Sequence, residues 1–285
     1  MSENGMMNFL YGHAAGRAIL NTLFKAGLPK LMAAYLRSPF SKPMIRKYIK
    51  KYGIDLSEYE DEEYRRFSDF FIRKRKEPAF DADPAHLISP CDGLVSCFPI
   101  SADSAFEIKN SLYRISDLLH DEKMAEKFVG GTCLIFRLRA QDYHRYCFID
   151  SAYVHENRCF EGQLHSVQPI ACLHYPVYRL NRRVCTVMDT DSFGTVAQIE
   201  VGAMAVGGIV NPFENCRIEK GKEMGRFELC GSTIVMLFEK DRINLLPELA
   251  DTLTDGREFP VMYGEQIGER ALQRSKAEGK LQRKA

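Results

Sequence analysis

Apolar residues recur every three or four positions between Asn8 and Leu36: Phe9, Leu10, Ala14, Ala18, Ile19, Leu23, Phe24, Leu28, Leu31, Met32 and Tyr35. That spacing is the period of an amphipathic helix. Pro29, Pro39 and Pro43 divide the stretch into short helices, and Ser41 is the expected cap of one that stops at Gly53. A further helical stretch is expected over residues 57–76, with Tyr64, Phe67, Phe70 and Phe71 on one side. From about residue 87 the texture changes to short β-rich runs broken by turns. They cover Leu94 to Ile100, Phe106 to Lys109, Thr132 to Arg139, Tyr143 to Val154, Leu173 to Leu180, Val184 to Met188, Thr195 to Val206 and Thr233 to Phe238. One helix, near Ser116 to Phe128, interrupts them, and Asp189 to Gly194 reads as a hairpin loop. Strands and helices do not alternate as in doubly wound folds, and neither a dinucleotide fingerprint nor a phosphate loop is present.

The pattern predicts an α+β protein. Residues 1–56 form a basic amphipathic helical region, 57–86 a helical bridge, 87–268 a β-rich domain, and 269–285 a basic helix or tail.

The 285 residues, 45% of them apolar, suffice for one large domain with an appendage. A formal charge of +1 hides an asymmetry: residues 1–51 carry nine bases and one acid, residues 269–285 six bases and two acids, and the body between them sums to −11. An acidic body repels phosphate, which excludes a general nucleic-acid binder. The +8 lead-in favours helices lying in a membrane interface, drawn down by anionic lipid, over a helical layer packed only on the protein's own core. The longest apolar run, Val201 to Val210, has ten residues including three glycines, too few to cross a bilayer. The opening Met-Ser-Glu-Asn-Gly does not read as a secretory signal. The expected location is therefore peripheral, on the cytoplasmic face of a membrane. Nine cysteines without a Cys-x-x-Cys pair suggest reduced, mostly buried thiols and no structural metal site.

Three segments carry candidate chemistry, and each alone is ordinary. Ser89-Pro90-Cys91-Asp92-Gly93 has the composition of a turn. Leu138 to Cys147 sets His144 among large and charged neighbours, and a lone histidine is usually structural. Gly231-Ser232-Thr233 precedes the apolar strand Ile234 to Phe238. Together, in this order and spacing, they resemble the phosphatidylserine decarboxylases, pyruvoyl-dependent enzymes that make their prosthetic group by cutting their own backbone. Phe106-Glu107-Ile108-Lys109 with Tyr113 and Leu118-Leu119, Gly162 to Val167, Asn181-Arg182-Arg183, and Val201-Gly202-Ala203 with Val206-Gly207 extend the likeness. It runs from about Phe71 to Gly268, whereas residues 1–51 match only in character. Cys230 and Cys147 depart from the commoner family pattern, the second standing where many members have another histidine.

The resemblance implies that Asp92, His144 and Ser232 form a triad. A serine hydroxyl is a weak nucleophile that needs an adjacent base, and the base needs a partner to fix its tautomer. Ser232 would attack the carbonyl of Gly231, and elimination would leave a β chain ending at Gly231 and an α chain of 54 residues headed by a pyruvoyl group derived from Ser232. That group would form a Schiff base with the substrate amine and accept the electron pair released with CO₂. His144 would protonate the product. Phosphatidylserine is the implied substrate. Lys109, Arg145, His165, Arg182 and Arg183 are the candidate contacts to its headgroup. The implied partners are an anionic membrane surface and the two chains of one precursor, with a homo-oligomer left open and no metal required. The alternatives are a pyruvoyl-dependent decarboxylase of a soluble amino acid and a non-cleaving lipid-binding homologue.

Overall fold

The structure, a computed structural model, describes residues 3–60, 63–103, 105–108, 111–163, 165–167, 169–202, 208–229, 232–251 and 257–271. Lys109, Gly231, residues 203–207 and most of the basic tail lie outside the described residues.

The chain begins with α1 (Glu3–Gly12), α2 (Ala14–Lys25), α3 (Leu28–Leu36) and, after a 3-10 turn at Pro39–Ser41, α4 (Lys42–Tyr52). Pro29 and Pro43 lie in the first turns of α3 and α4, where a missing N–H is tolerated, so these prolines open helices. Reversal falls to glycines in the left-handed region, Gly27 at φ 79° and Gly53 at φ 63°. Ser41 does not cap α4. Its hydroxyl donates to the Leu36 and Ser38 carbonyls and accepts the Phe67 N–H at 2.9 Å, tying the helices to the next segment. The helix expected over 57–76 shrinks to α5 (Phe67–Phe71), because Tyr59 pairs with Arg75 as an antiparallel bridge and folds the stretch into a loop.

The body contains β1 (His86–Ile88), β2 (Gly93–Pro99), β3 (Ala105–Ile108), β4 (Ser111–Arg114), β5 (Thr132–Leu138), β6 (Arg145–Cys147), β7 (Ala152–Phe160), β8 (Arg183–Thr190) and β9 (Gly194–Gly202). After these come β10 (Ile209–Val210), β11 (Cys216–Ile218), β12 (Glu223–Phe227), β13 (Ser232–Phe238), β14 (Ile243–Leu245), β15 (Phe259–Val261) and β16 (Gln266–Arg270). Between them lie α6 (Ile115–Leu119), α7 (Glu122–Glu126), α8 (Pro169–Cys172), α9 (Val177–Leu180) and α10 (Pro247–Ala250). The helix expected near 116–128 is broken at His120, whose φ is 49°. The run Leu173 to Leu180 is helical over α9 instead of a strand, because Pro176 lacks the N–H a ladder needs. Tyr143 to Val154 splits between β6 and β7. The Asp189 to Gly194 hairpin forms as expected, with Thr190 opposite Gly194.

Eight antiparallel strands make the main sheet in the order β11-β7-β8-β9-β13-β5-β2-β15. All seven residues of β13 are buried, and each pairs with β5 on one side and β9 on the other. Side chains alternate across a strand. Ile234, Met236 and Phe238 therefore join a core with Tyr146, Phe227 and Ile267 from the smaller sheets, whereas Val235 and Leu237 pack toward Met7, Tyr11 and Leu20 from the helices and Phe128 from the turn after α7. A third cluster, Leu36, Ile45, Phe67, Phe70, Phe71 and Leu229, docks α3 to α5 against the segment leading into β13. The architecture is α+β, as the sequence pattern predicts.

Candidate active site

Ser232 opens the central strand. It pairs with Leu138, the last residue of β5, and with Gly202, the last of β9. Leu94 lies opposite Arg137, which brings Gly93, and Asp92 before it, level with the same line. With strands about 4.8 Å apart, Asp92 starts roughly 10 Å from Ser232 across β5. Three segments far apart in sequence thus meet at one end of one sheet.

The loop after β5 brings His144 over Ser232. Ser232 Oγ and His144 Nδ1 are 3.4 Å apart, and both residues are buried. Burial pushes the imidazole down to about 3, and the nearby charge of Arg73 acts in the same direction, against the favourable carbonyls of Ala140 and Arg139. The ring is therefore neutral at ordinary pH. When Nδ1 accepts from Ser232, the ring proton sits on Nε2, which has no hydrogen-bond partner among the described residues. Phe71 stacks on the imidazole with centroids 4.0 Å apart.

Asp92 occupies a different place in the network from the one expected. Its carboxylate accepts from Arg75 Nη1 and Nη2 at 3.2 and 2.8 Å and from the Tyr263 N–H at 2.8 Å. Among the described residues no hydrogen bond joins it to His144. The structure brings Ser232 and His144 together directly and Asp92 into their neighbourhood, with its oxygens committed elsewhere.

The candidate substrate contacts diverge. Arg183 is buried, and its guanidinium donates to the carbonyls of Leu118, Asp117 and Arg179. Arg145 donates to the Ile72 and Arg73 carbonyls and pairs with Glu223 at 2.7 Å. Both hold the fold together. Arg182 lies near the surface, 3.7 Å from Glu161. His165 is buried, stacked on Tyr175 at 4.4 Å and bonded through Nε2 to Gln163. Asn181 connects it to the site: the side chain accepts the His165 N–H and donates to the carbonyls of His165 and Gly202, the residue opposite Ser232.

Sequence reasoning missed Arg73, Arg75 and Tyr263. The signal available for two of them was the spacing Arg73-x-Arg75, which sends both side chains the same way in an extended segment. It also missed Glu200, two residues before Gly202 on the Ser232 face of the sheet. Glu200 is fully buried, accepts from Gln198 and Asn211, and is pushed up to about 7 by burial.

A profile of the phosphatidylserine decarboxylase family matches residues 67–269. Over 271 residues the chain is 41% identical to phosphatidylserine decarboxylase proenzyme 2 of Clostridium acetobutylicum, covering 94% of this chain and 92% of the relative. It is 37% identical to a phosphatidylserine decarboxylase proenzyme of Ruminiclostridium cellulolyticum, covering 92% and 90%. A third such proenzyme, of Clostridium perfringens, is 36% identical with 92% of each covered. With a family profile over residues 67–269 and relatives 36–41% identical over at least 90% of both chains, this chain belongs to the phosphatidylserine decarboxylase family.

Proposed function

We propose that the chain is a self-processing precursor, cut between Gly231 and Ser232, whose mature form decarboxylates phosphatidylserine to phosphatidylethanolamine with a pyruvoyl group derived from Ser232. The carrying observation is the contact of Ser232 Oγ with the neutral, buried His144, 3.4 Å at Nδ1. This is the loose end of hydrogen-bond reach, of the kind that tightens as a reaction proceeds. His144 takes the hydroxyl proton while Oγ adds to the Gly231 carbonyl, and passes it to the Ser232 nitrogen as the C–N bond breaks. Loss of the Ser232 α-proton with departure of the Gly231 carboxylate then leaves dehydroalanine. Water releases its nitrogen as ammonia, and the carbonyl remains. An acyl group at position 232 is smaller than the serine it replaces, so the buried end of β13 accommodates it without repacking.

The pyruvoyl group supplies an electron sink for the pair left when CO₂ departs. His144 is then the group placed to return a proton to the product carbon. Burial of the site limits the competition of solvent for that proton transfer. Asp92 is assigned the anionic support of His144. Lys109, His165 and Arg182 are kept as headgroup candidates.

Peripheral membrane attachment through the first helices belongs to the same reading. Eight of the twelve exposed large apolar side chains among the described residues lie between Met6 and Phe40, including Leu31 at 68% and Phe40 at 81%. Among the described residues no helix is long and apolar enough to cross a membrane. Basic residues flank this surface, the arrangement that suits an anionic interface.

Intact-mass analysis of the purified protein tests the cut, and assays on phosphatidylserine vesicles against free amino acids test the substrate. A single uncut chain under native conditions would overturn the first part. Activity confined to free amino acids would overturn the second.

A further inference from the structure

Among the described residues no hydrogen bond joins Asp92 to His144, and the side chains of Arg75 and Tyr143 lie between them in the network. Phe71, Arg73 and Arg75 each contact the loop that carries His144. Phe71 stacks on His144. Arg73 donates to the carbonyls of Gln141 and Asp142 at 2.9 and 3.2 Å. The guanidinium of Arg75 lies 4.7 Å from the centre of the Tyr143 ring, and its backbone N–H donates to the Tyr143 hydroxyl at 3.3 Å. The grip is mutual, because Arg145 reaches back to the carbonyls of Ile72 and Arg73. Arg75 is the one member of this clasp that also binds Asp92, and it does so with two nitrogens.

From this we infer that Arg75 is a positioning residue for self-cleavage: it holds Asp92 as an anion and transmits that anchor to His144 through Tyr143, in place of a direct Asp92–His144 hydrogen bond. The inference rests on the self-cleavage reading above. A buried carboxylate keeps its charge only when a cation or several donors face it. Arg75 is the only cation bonded to Asp92 among the described residues. The other titratable groups around the pair are Glu58, Tyr59, Cys91, Tyr143, Cys147 and Tyr263. Burial pushes Tyr143 and Cys147 up to about 12 and raises Cys91 and Tyr263 as well, so these four are neutral. Glu58 is 3.9 Å from Arg75 Nε and 62% exposed, which leaves its charge largely screened by solvent. None of them can replace the guanidinium.

The test follows conversion of full-length precursor, made by cell-free translation, across the range from about pH 6 to about pH 9. Without the guanidinium the buried carboxylate loses the cation bonded to it, so Arg75→Gln is expected to cleave on the order of tenfold more slowly than wild type near pH 6 and within about threefold near pH 9. Arg75→Lys keeps one charge and loses the fork, so its loss is smaller with the same slope. A purely structural role would lower the rate by one factor at every pH. A pH-independent ratio to wild type, or wild-type rates in Arg75→Gln, overturns the inference. If Arg75→Gln does not fold, as judged by circular dichroism, the ratio for Arg75→Lys decides; if neither folds, Arg75 is structural and the inference fails. A wild-type chain that stays uncut sinks the self-cleavage reading itself, a result distinct from all of these.

Discussion

The ring centroids of Phe71 and His144 lie 4.0 Å apart with the planes 26° from parallel, and both residues are buried. A substitution that removes the flat face without changing polarity tests what this contact does. Phe71→Leu is expected to cost about 1–2 kcal/mol of stability and to slow self-cleavage by roughly tenfold, because the imidazole loses the surface that fixes its plane. Phe71→Tyr retains the stack and should process more nearly as wild type. Denaturant midpoints and the fraction of cut chain report the two effects separately.

Ser232→Ala and His144→Gln should each leave a single chain of about 32.6 kDa, whereas wild type should yield a fragment of 54 residues with a blocked N-terminus. Mass spectrometry of the intact proteins and N-terminal sequencing read this out. Release of CO₂ from phosphatidylserine by Ser232→Ala would contradict the mechanism.

His144 is held neutral, at about 3 against its ordinary 6.5. Between those values the unfolded chain binds a proton that the folded chain refuses. The stability contributed is complete above about pH 6.5 and is lost as pH falls toward about 3. In a Ser232→Ala background, the protein with His144 should lose on the order of 4 kcal/mol relative to one carrying His144→Gln across that window. A difference in unfolding free energy that does not change with pH would show that the ring is not buried neutral.

Glu200 has the opposite sign. Its folded value is raised to about 7 from 4.5, so its contribution is complete below about pH 4.5 and is lost as pH rises through 7. Glu200→Gln should therefore gain on wild type by roughly 3 kcal/mol between pH 4.5 and pH 8, whatever its fixed hydrogen-bond cost. Parallel denaturation series at the two pH values measure the gain.

Leu31 and Phe40 expose apolar surface on the basic helical region. Replacing both with Glu should lower binding to vesicles rich in phosphatidylserine by more than about tenfold, since each apolar side chain that inserts contributes about 1.5–3 kcal/mol. Flotation at two salt concentrations separates this loss from that of the basic charges. Undiminished binding would move the membrane surface elsewhere.

The sequence made the sheet's central strand, the hairpin at Asp189 to Gly194 and the convergence of Ser232 with His144 legible, because each follows from a local period or from a motif held in order. What it concealed was set by long-range pairing. Residues 57–76 have a helical spacing of aromatics, yet the Tyr59–Arg75 bridge overrides it and turns Arg73 and Arg75 toward the active-site loop. Arg145 and Arg183 carry charge that a sequence reading assigns to a ligand. Only the fold reveals carbonyls of residues scores of positions away, such as Ile72 and Leu118, occupying them. Glu200 looks like a surface acid within an apolar run until its neighbours on β8 and β13 cover it.

A chain that cuts itself before Ser232 does so at the first residue of its most enclosed strand. The α chain's new end is then the outermost link of two uninterrupted ladders, seven pairs with β5 and seven with β9, all contributed by the β chain. Severing the peptide bond removes a covalent tie without opening a seam. On the proposed cut the two fragments would stay joined through these ladders, and the new terminus would remain beside His144.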